Sequence, residues 1–158
     1  MKNNIIFIVV VLASILLVVP AFAAGPWKGT IIDIETKEPL EGTVVVAVWY
    51  RVWSTPAGGV SDFYELKEVL TNKEGNFEMP PYTPINLLPI LSYIRWPEFT
   101  IFRPGYLSLS AVDFGEYFIE GTKEAPLERE VTKGKIVRFA PGTIEIPKLK
   151  TREERRMV

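Results

Sequence analysis

Gly29–Val46 reads GTIIDIETKEPLEGTVVV, and Thr71–Pro80 reads TNKEGNFEMP. In the first stretch, two runs rich in β-branched residues, Thr30–Ile34 and Thr43–Val48, flank the polar segment Glu35–Gly42. That is the pattern of a strand, a turn and a second strand. Pro39, Leu40 and Gly42 predict that the chain reverses there and returns one apolar side chain, Leu40, to the interior. In the second stretch Asn72-Lys73-Glu74-Gly75 reads as a turn. Phe77 and Met79 then alternate with polar neighbours along the strand that follows.

Working outward, the first strand is expected over Trp27–Ile34. The second and longest covers Thr43–Trp53, TVVVAVWYRVW, apolar on both faces in its first half as a central strand would be. Ser54–Val60, with Pro56 and Gly58-Gly59, reads as a flexible loop, and strands over Asp62–Thr71 and Asn76–Pro80 come next. Pro81, Pro84 and Pro89 break the rhythm, and Pro81–Trp96 reads as an apolar insertion without strand register, with room for a helical turn or two in Asn86–Tyr93. Strands resume at Glu98–Arg103 and Leu107–Val112. Asp113–Thr132 reads as an irregular excursion, and Lys135–Phe139 and Thr143–Ile146 as a hairpin around Pro141-Gly142. Short strands, frequent turn signals and no long amphipathic helix predict an all-β sandwich of about seven strands.

The N-terminus reads as a targeting helix. Lys2 precedes an apolar run, Ile5–Val19, broken only by Ser14, and Ala21-Phe22-Ala23 gives a small-x-small site. The expected division is a signal peptide at 1–23, the sandwich at 24–147 and a charged tail at 148–158, with five cations and two glutamates, that starts a surface helix. An uncleaved anchor stays open, because Ile5–Ala24 approaches the ~20 residues that span a bilayer. Either way the chain is expected to be exported, to the periplasm or beyond, or held at the membrane by its N-terminus.

The scaffold residues Gly29, Asp33, Thr36, Pro39 and Gly42, then Thr71, Asn72, Gly75 and Phe77, then Pro104-Gly105-Tyr106, together resemble the carboxypeptidase regulatory-like domain family. The resemblance covers roughly Gly29–Tyr106 and implies a transthyretin-like, Ig-like sandwich in an exported bacterial protein. It implies scaffold rather than chemistry. Members serve as spacers, stability modules or adhesion and ligand-binding domains. The family's catalytic namesakes hold zinc on a separate domain.

The composition narrows the chemistry. With no cysteine and no histidine among 158 residues, thiol and Ser-His-Asp nucleophiles and the usual zinc, copper, haem and iron–sulfur ligands are missing. A formal net charge of −1 argues against nucleic-acid binding. Asp33, Glu35, Glu38 and Glu41 read as solvated turn residues. Asp113 and Glu116 beside Tyr117 form a second carboxylate pair without the spacing of a known site. Asn72–Asn76 superficially resembles a calcium loop, but Lys73 would sit among the ligands and a tight turn explains Asn and Gly. No catalytic residue, metal or cofactor is therefore expected.

Aromatic residues are the stronger signal. Trp49 and Trp53 share a face at period two, and Trp96 closes the insertion, so these three are the candidate ligand- or partner-binding residues. The alternative is that these residues are core, and for at least one of the two strand faces the core reading is the expectation. The insertion reads as a hydrophobic flap with an exposed rim, or as a patch for a partner or a membrane surface. Three functions stand in order: a non-catalytic binding, structural or assembly module of the cell envelope with a protein or glycan partner, or homo-oligomers formed by edge-strand pairing; a carbohydrate-binding protein using exposed tryptophans; and, far behind, a carboxylate-based hydrolase.

Overall fold

A computed structural model describes residues 24–112, 115–118, 125–132 and 134–156, so the expected signal segment, 1–23, lies outside the described residues. Within them the chain forms two packed sheets, a β-sandwich. The strands are β1 Trp27–Asp33, β2 Val44–Thr55, β3 Gly58–Leu70, β4 Asn76–Met79, β5 Ser92–Ile94, β6 Glu98–Phe102, β7 Leu109–Val112, β8 Leu127–Thr132, β9 Lys135–Ala140 and β10 Thr143–Ile146. One sheet runs β4-β1-β10-β9-β8. The other runs β3-β2-β6-β7, with β5 added beside the far half of β2. β1 and β10 pair in parallel, Thr30 opposite Thr143, and the other strand pairs are antiparallel.

Period-two alternation fills the space between the sheets. Trp27, Gly29, Ile31 and Asp33 of β1 face inward, opposite Val45, Ala47 and Trp49 of β2 and Phe99 and Ile101 of β6. Trp27 reaches from one sheet to the other. Its ring stands edge-on to Trp49 at 5.7 Å and to Phe99 at 5.9 Å. Phe118, from a 3₁₀ turn at Gly115–Phe118, meets Phe99 at 5.4 Å and Phe77 at 4.8 Å. Gly29 is the gap that admits these last rings, for a Cβ there would lie 2.7 Å from Phe118 and 3.0 Å from Phe77.

The stretch that sets the fold behaves as read. Leu40 turns inward and is buried, and Leu40 N–H donates to the Ile31 carbonyl at 2.9 Å. Thr71 locks the returning chain: its hydroxyl donates to the Leu40 carbonyl at 2.5 Å and accepts from Thr43 N–H at 2.8 Å. Gly75, at φ +72°, accepts from Ile31 N–H at 2.9 Å and approaches this same turn, with room for no side chain. A Cβ would stand 2.6 Å from the Ile31 carbonyl oxygen.

Several sequence expectations change. There are ten strands among the described residues rather than about seven. Ser54–Val60 is no flexible loop: β2 and β3 continue through it to a tight hairpin at Pro56-Ala57, closed by Gly58 at φ +117°. Proline and glycine here are the turn chemistry of a long two-stranded ribbon. Asp113–Thr132 contains a strand, β8, whose Leu-Glu-Arg-Glu-Val-Thr sequence suits an exposed sheet edge guarded by charge. Pro81–Trp96 has one tight turn, with Leu91 and Ser92 N–H both donating to the Leu88 carbonyl, and then a short strand, β5, rather than helical turns followed by none.

The sandwich also extends past residue 147. Leu149 is buried, Leu107 N–H donates to the Pro147 carbonyl at 3.0 Å, and Leu149 N–H donates to that of Gly105 at 2.8 Å. Only then does the chain form the surface 3₁₀ turn Glu154–Arg156, tied to β9 by the Lys135–Glu154 ion pair at 2.8 Å. Every residue of the core cluster thus lies between Trp27 and Leu149.

Two substitutions test this packing in urea denaturation. Trp27→Ala is expected to cost about 3–5 kcal/mol by opening a cavity between the sheets. Gly29→Ala overpacks the same core against Phe118 and Phe77 and is expected to cost about 1–3 kcal/mol. An unchanged midpoint in either would contradict the described core.

Candidate functional site

The scaffold residues converge, although they are far apart in sequence. Asp33, expected among solvated turn residues, is buried: as the last inward position of β1 it follows Trp27 and Ile31 onto the core side. Its Oδ1 accepts from Glu35 N–H at 2.7 Å and Thr36 N–H at 3.0 Å, which shapes the turn that Pro39 and Gly42 complete. Tyr106, of the Pro104-Gly105-Tyr106 turn, adds a hydrogen bond to the same carboxylate, and Lys148 stands nearby. Burial pushes the Asp33 carboxyl up, but the backbone N–H groups of Thr36 and Glu35, the Tyr106 hydroxyl and Lys148 outweigh it and hold it below its ordinary 3.8. Burial, with Asp33 alongside, pushes the Tyr106 phenol up. All of these groups hold the turn together.

The aromatic candidates separate. Trp49 is 1% exposed, wedged between Trp27 and Tyr82, whose ring stands edge-on at 4.8 Å, so the platform expected from Trp49 and Trp53 is not on the surface. Burial along β2 passes from Val45, Ala47 and Trp49 to Val52, changing phase where the β2–β3 register shifts between Trp49 and Tyr50. Trp53 is half-buried and carries the Arg51 guanidinium at 5.6 Å from its ring centroid, with Tyr64 at 4.8 Å from the same cation. Trp96 is 61% exposed. It meets Trp49 all the same, across a cleft of about 470 Å³ walled by Ala24, Trp49, Pro84, Ile94, Arg95, Trp96 and Pro97.

That cleft lies at the foot of the excursion Pro81–Trp96, whose construction decides what this end of the molecule can do. Asn86 staples it: the side-chain amide donates to the Ser92 carbonyl at 2.6 Å, and its Oδ1 accepts from the Ser92 hydroxyl at 3.1 Å and from Leu88 N–H at 3.2 Å. Ser92 is buried, and the Tyr64 hydroxyl donates to the Ile85 carbonyl at 2.9 Å. β5 and Arg95 N–H tie the returning limb to β2. With its polar groups turned inward, the excursion turns its apolar ones outward: Ile90 is 93% exposed and Leu87 84%, and Ile85, Leu91 and Tyr93 are more than half exposed. Between Glu78 and Glu98 the only charged residue is Arg95, paired with Glu98.

Sequence reasoning missed two further features. Ala24, the first described residue, is bridged to Tyr82 through two backbone hydrogen bonds of 3.1 and 2.9 Å. The ribbon edge β3 exposes Val60, Phe63, Leu66 and Leu70. The imperfect alternation of Asp62–Thr71 was the available signal for the second. The first joins residues 58 apart and left none. Comparison of the chain with protein-family models, with curated proteins and with solved structures returns no match.

Two titrations check these environments. Asp33 is held below 3.8, so the stability it contributes is fully present above about pH 4 and is lost as pH falls through its folded value. Urea midpoints of the wild type should therefore drop on acidification below pH 4 more steeply than those of Asp33→Asn; parallel curves would contradict the buried carboxylate. Tyr82 is pushed up to about 12 by burial, by Tyr64 and by Glu65, and ultraviolet titration should show a late-ionising tyrosine, beside the raised Tyr106, that Tyr82→Phe removes.

Proposed function

We propose that this chain is an exported, non-catalytic β-sandwich module of the cell envelope, working by binding and assembly, with the Pro81–Trp96 end as its working surface. The observation that supports the reading most is the excursion itself. Ile85, Leu87, Ile90, Leu91 and Tyr93 face solvent on a backbone held by Asn86 and Ser92, and contiguous exposed apolar surface marks an interaction site on a folded domain. The export half of the proposal comes from Lys2, the run Ile5–Val19 and the Ala21-Phe22-Ala23 site, and places the domain in the periplasm or outside, or tethered by its N-terminus. The Asp33, Thr71 and Tyr106 contacts suit the scaffold role that a carboxypeptidase regulatory-like, transthyretin-like member would give them. The long edge β3 offers a further route to self-assembly by strand pairing, with Asp62, Glu65, Lys67 and Glu68 along it as guards.

A carbohydrate reading keeps one specific support. Trp96 is exposed and walls a cleft, as a sugar-stacking ring would. Trp49 no longer contributes a face to it.

Export is tested by expressing the full chain in a bacterial host, fractionating the cells and measuring the intact mass. Loss of residues 1–23, or recovery in the membrane with them retained, is the expected outcome; an unprocessed protein in the cytoplasm overturns the reading. A glycan array probed with wild type and Trp96→Ala separates the two binding classes, since a sugar signal abolished by that substitution would install the carbohydrate function instead.

A further inference from the structure

We infer that the Pro81–Trp96 end of the sandwich seats on a lipid bilayer, a surface contact that rests on the exported reading above. Three observations favour a bilayer over a protein partner. The first is the separation of polar from apolar groups. Asn86, Ser92 and the Leu88 carbonyl satisfy one another inside the excursion, while Leu87 and Ile90 stand almost fully exposed. A loop entering the headgroup and acyl boundary needs this arrangement, because lipid chains offer backbone groups no partner. The second is charge. The segment carries one charged side chain, Arg95, already paired with Glu98 at its margin. The exposed tip itself carries no charge to strip of water, and the cations stand at its margin, Arg95 in the cleft wall and Lys67 4.2 Å over the Tyr82 ring, where lipid headgroups would meet them. Tyr93 and Trp96, each more than half exposed, are the amphipathic aromatics that favour the membrane–water interface.

The third is where the apolar N-terminal segment joins the domain. Ala24 is pinned to Tyr82 at the foot of the excursion and walls the same cleft as Trp96. From Val19 to Ala24 is five residue steps, which reach roughly 18 Å at most when fully extended. While the run Ile5–Val19 is in a bilayer, for translocation or as an anchor, Ala24 and the foot of the excursion bonded to it are held near that bilayer. Among the described residues no helix is long and apolar enough to cross a membrane, so the contact is one of side chains seated at the surface.

The test uses the full chain reconstituted in phosphatidylcholine–phosphatidylglycerol vesicles, with and without acyl-chain-dibrominated phosphatidylcholine. Wild type minus Trp96→Phe isolates the Trp96 emission, and Trp27 and Trp49 are buried in the core. On vesicles that emission should shift to the blue, be quenched by the brominated lipid and become shielded from iodide. The double variant Leu87→Asp/Ile90→Asp, altered at two exposed positions that the fold does not use, should lose both the quenching and the shielding. In a chain starting at Ala24, which keeps the whole core cluster, the same pair should lower vesicle partitioning on the order of a hundredfold. Trp96 left open to iodide on vesicle-bound protein overturns the inference. So does shielding that rises with protein concentration in the absence of vesicles, which would make a second copy the occupant. These readouts are independent of cellular fractionation, so failure here leaves the export reading standing and failure there does not mimic it.

Discussion

The structure depends on one indole. Trp27 enters on the first strand of one sheet and finishes edge-on to Trp49 and Phe99 of the other, with Phe118 and Phe77 continuing the chain of rings beyond Gly29. Edge-to-face pairs add about 0.5–1.5 kcal/mol each beyond the area they bury, and rings at these separations leave the sheets little freedom to slide. The indole N–H of Trp27 finds no hydrogen-bond partner among the described residues. The position is therefore kept for its shape and apolar area, at the expense of a buried donor.

A second constraint is polar. The Asp33 turn, the Thr43–Thr71 clasp and the Pro104-Gly105-Tyr106 turn meet near one edge, and residues 147–149 run back across them. Each supplies a partner for backbone that would otherwise be buried unpaired, as Leu40 shows by accepting two hydroxyls at its carbonyl. Parallel pairing of β1 with β10 brings the far end of the domain to its first strand, so these turns close the sandwich together.

The fold was legible where local chemistry and tertiary demand coincide. Gly75, Leu40 and Phe77 announce a turn, an inward side chain and a strand through spacing alone. β8 was hidden because an edge strand carries charges that elsewhere signal a loop, and the β2–β3 ribbon was hidden because proline and glycine mark both mobile loops and tight hairpins. Asp33 misled for a related reason. A carboxylate beside Glu35 and Glu38 reads as solvated until the strand period and the partner Tyr106, 73 residues away, are both known. The candidate site was less legible still. Period two paired Trp49 with Trp53, yet which face is core depends on Trp27 and Tyr82, and exposure of Trp96 depends on how an irregular segment docks.

The excursion shows why that segment could not be read as either core or surface. Its apolar content is that of a core strand, but three prolines deny it a ladder until β5 at Ser92–Ile94, and the sandwich beneath is already filled by Trp27, Trp49 and Tyr82. Side chains such as Leu87 and Ile90 have no space left to occupy inside. Exposing them to water gives up about 1.5–3 kcal/mol apiece relative to burial, a cost the Asn86–Ser92 staple does nothing to relieve, since it serves only to hold the loop open in one shape. Hydrogen bonds here hold apolar groups outside rather than in, and the backbone bonds between Ala24 and Tyr82 fix the start of the described chain at the foot of the same loop.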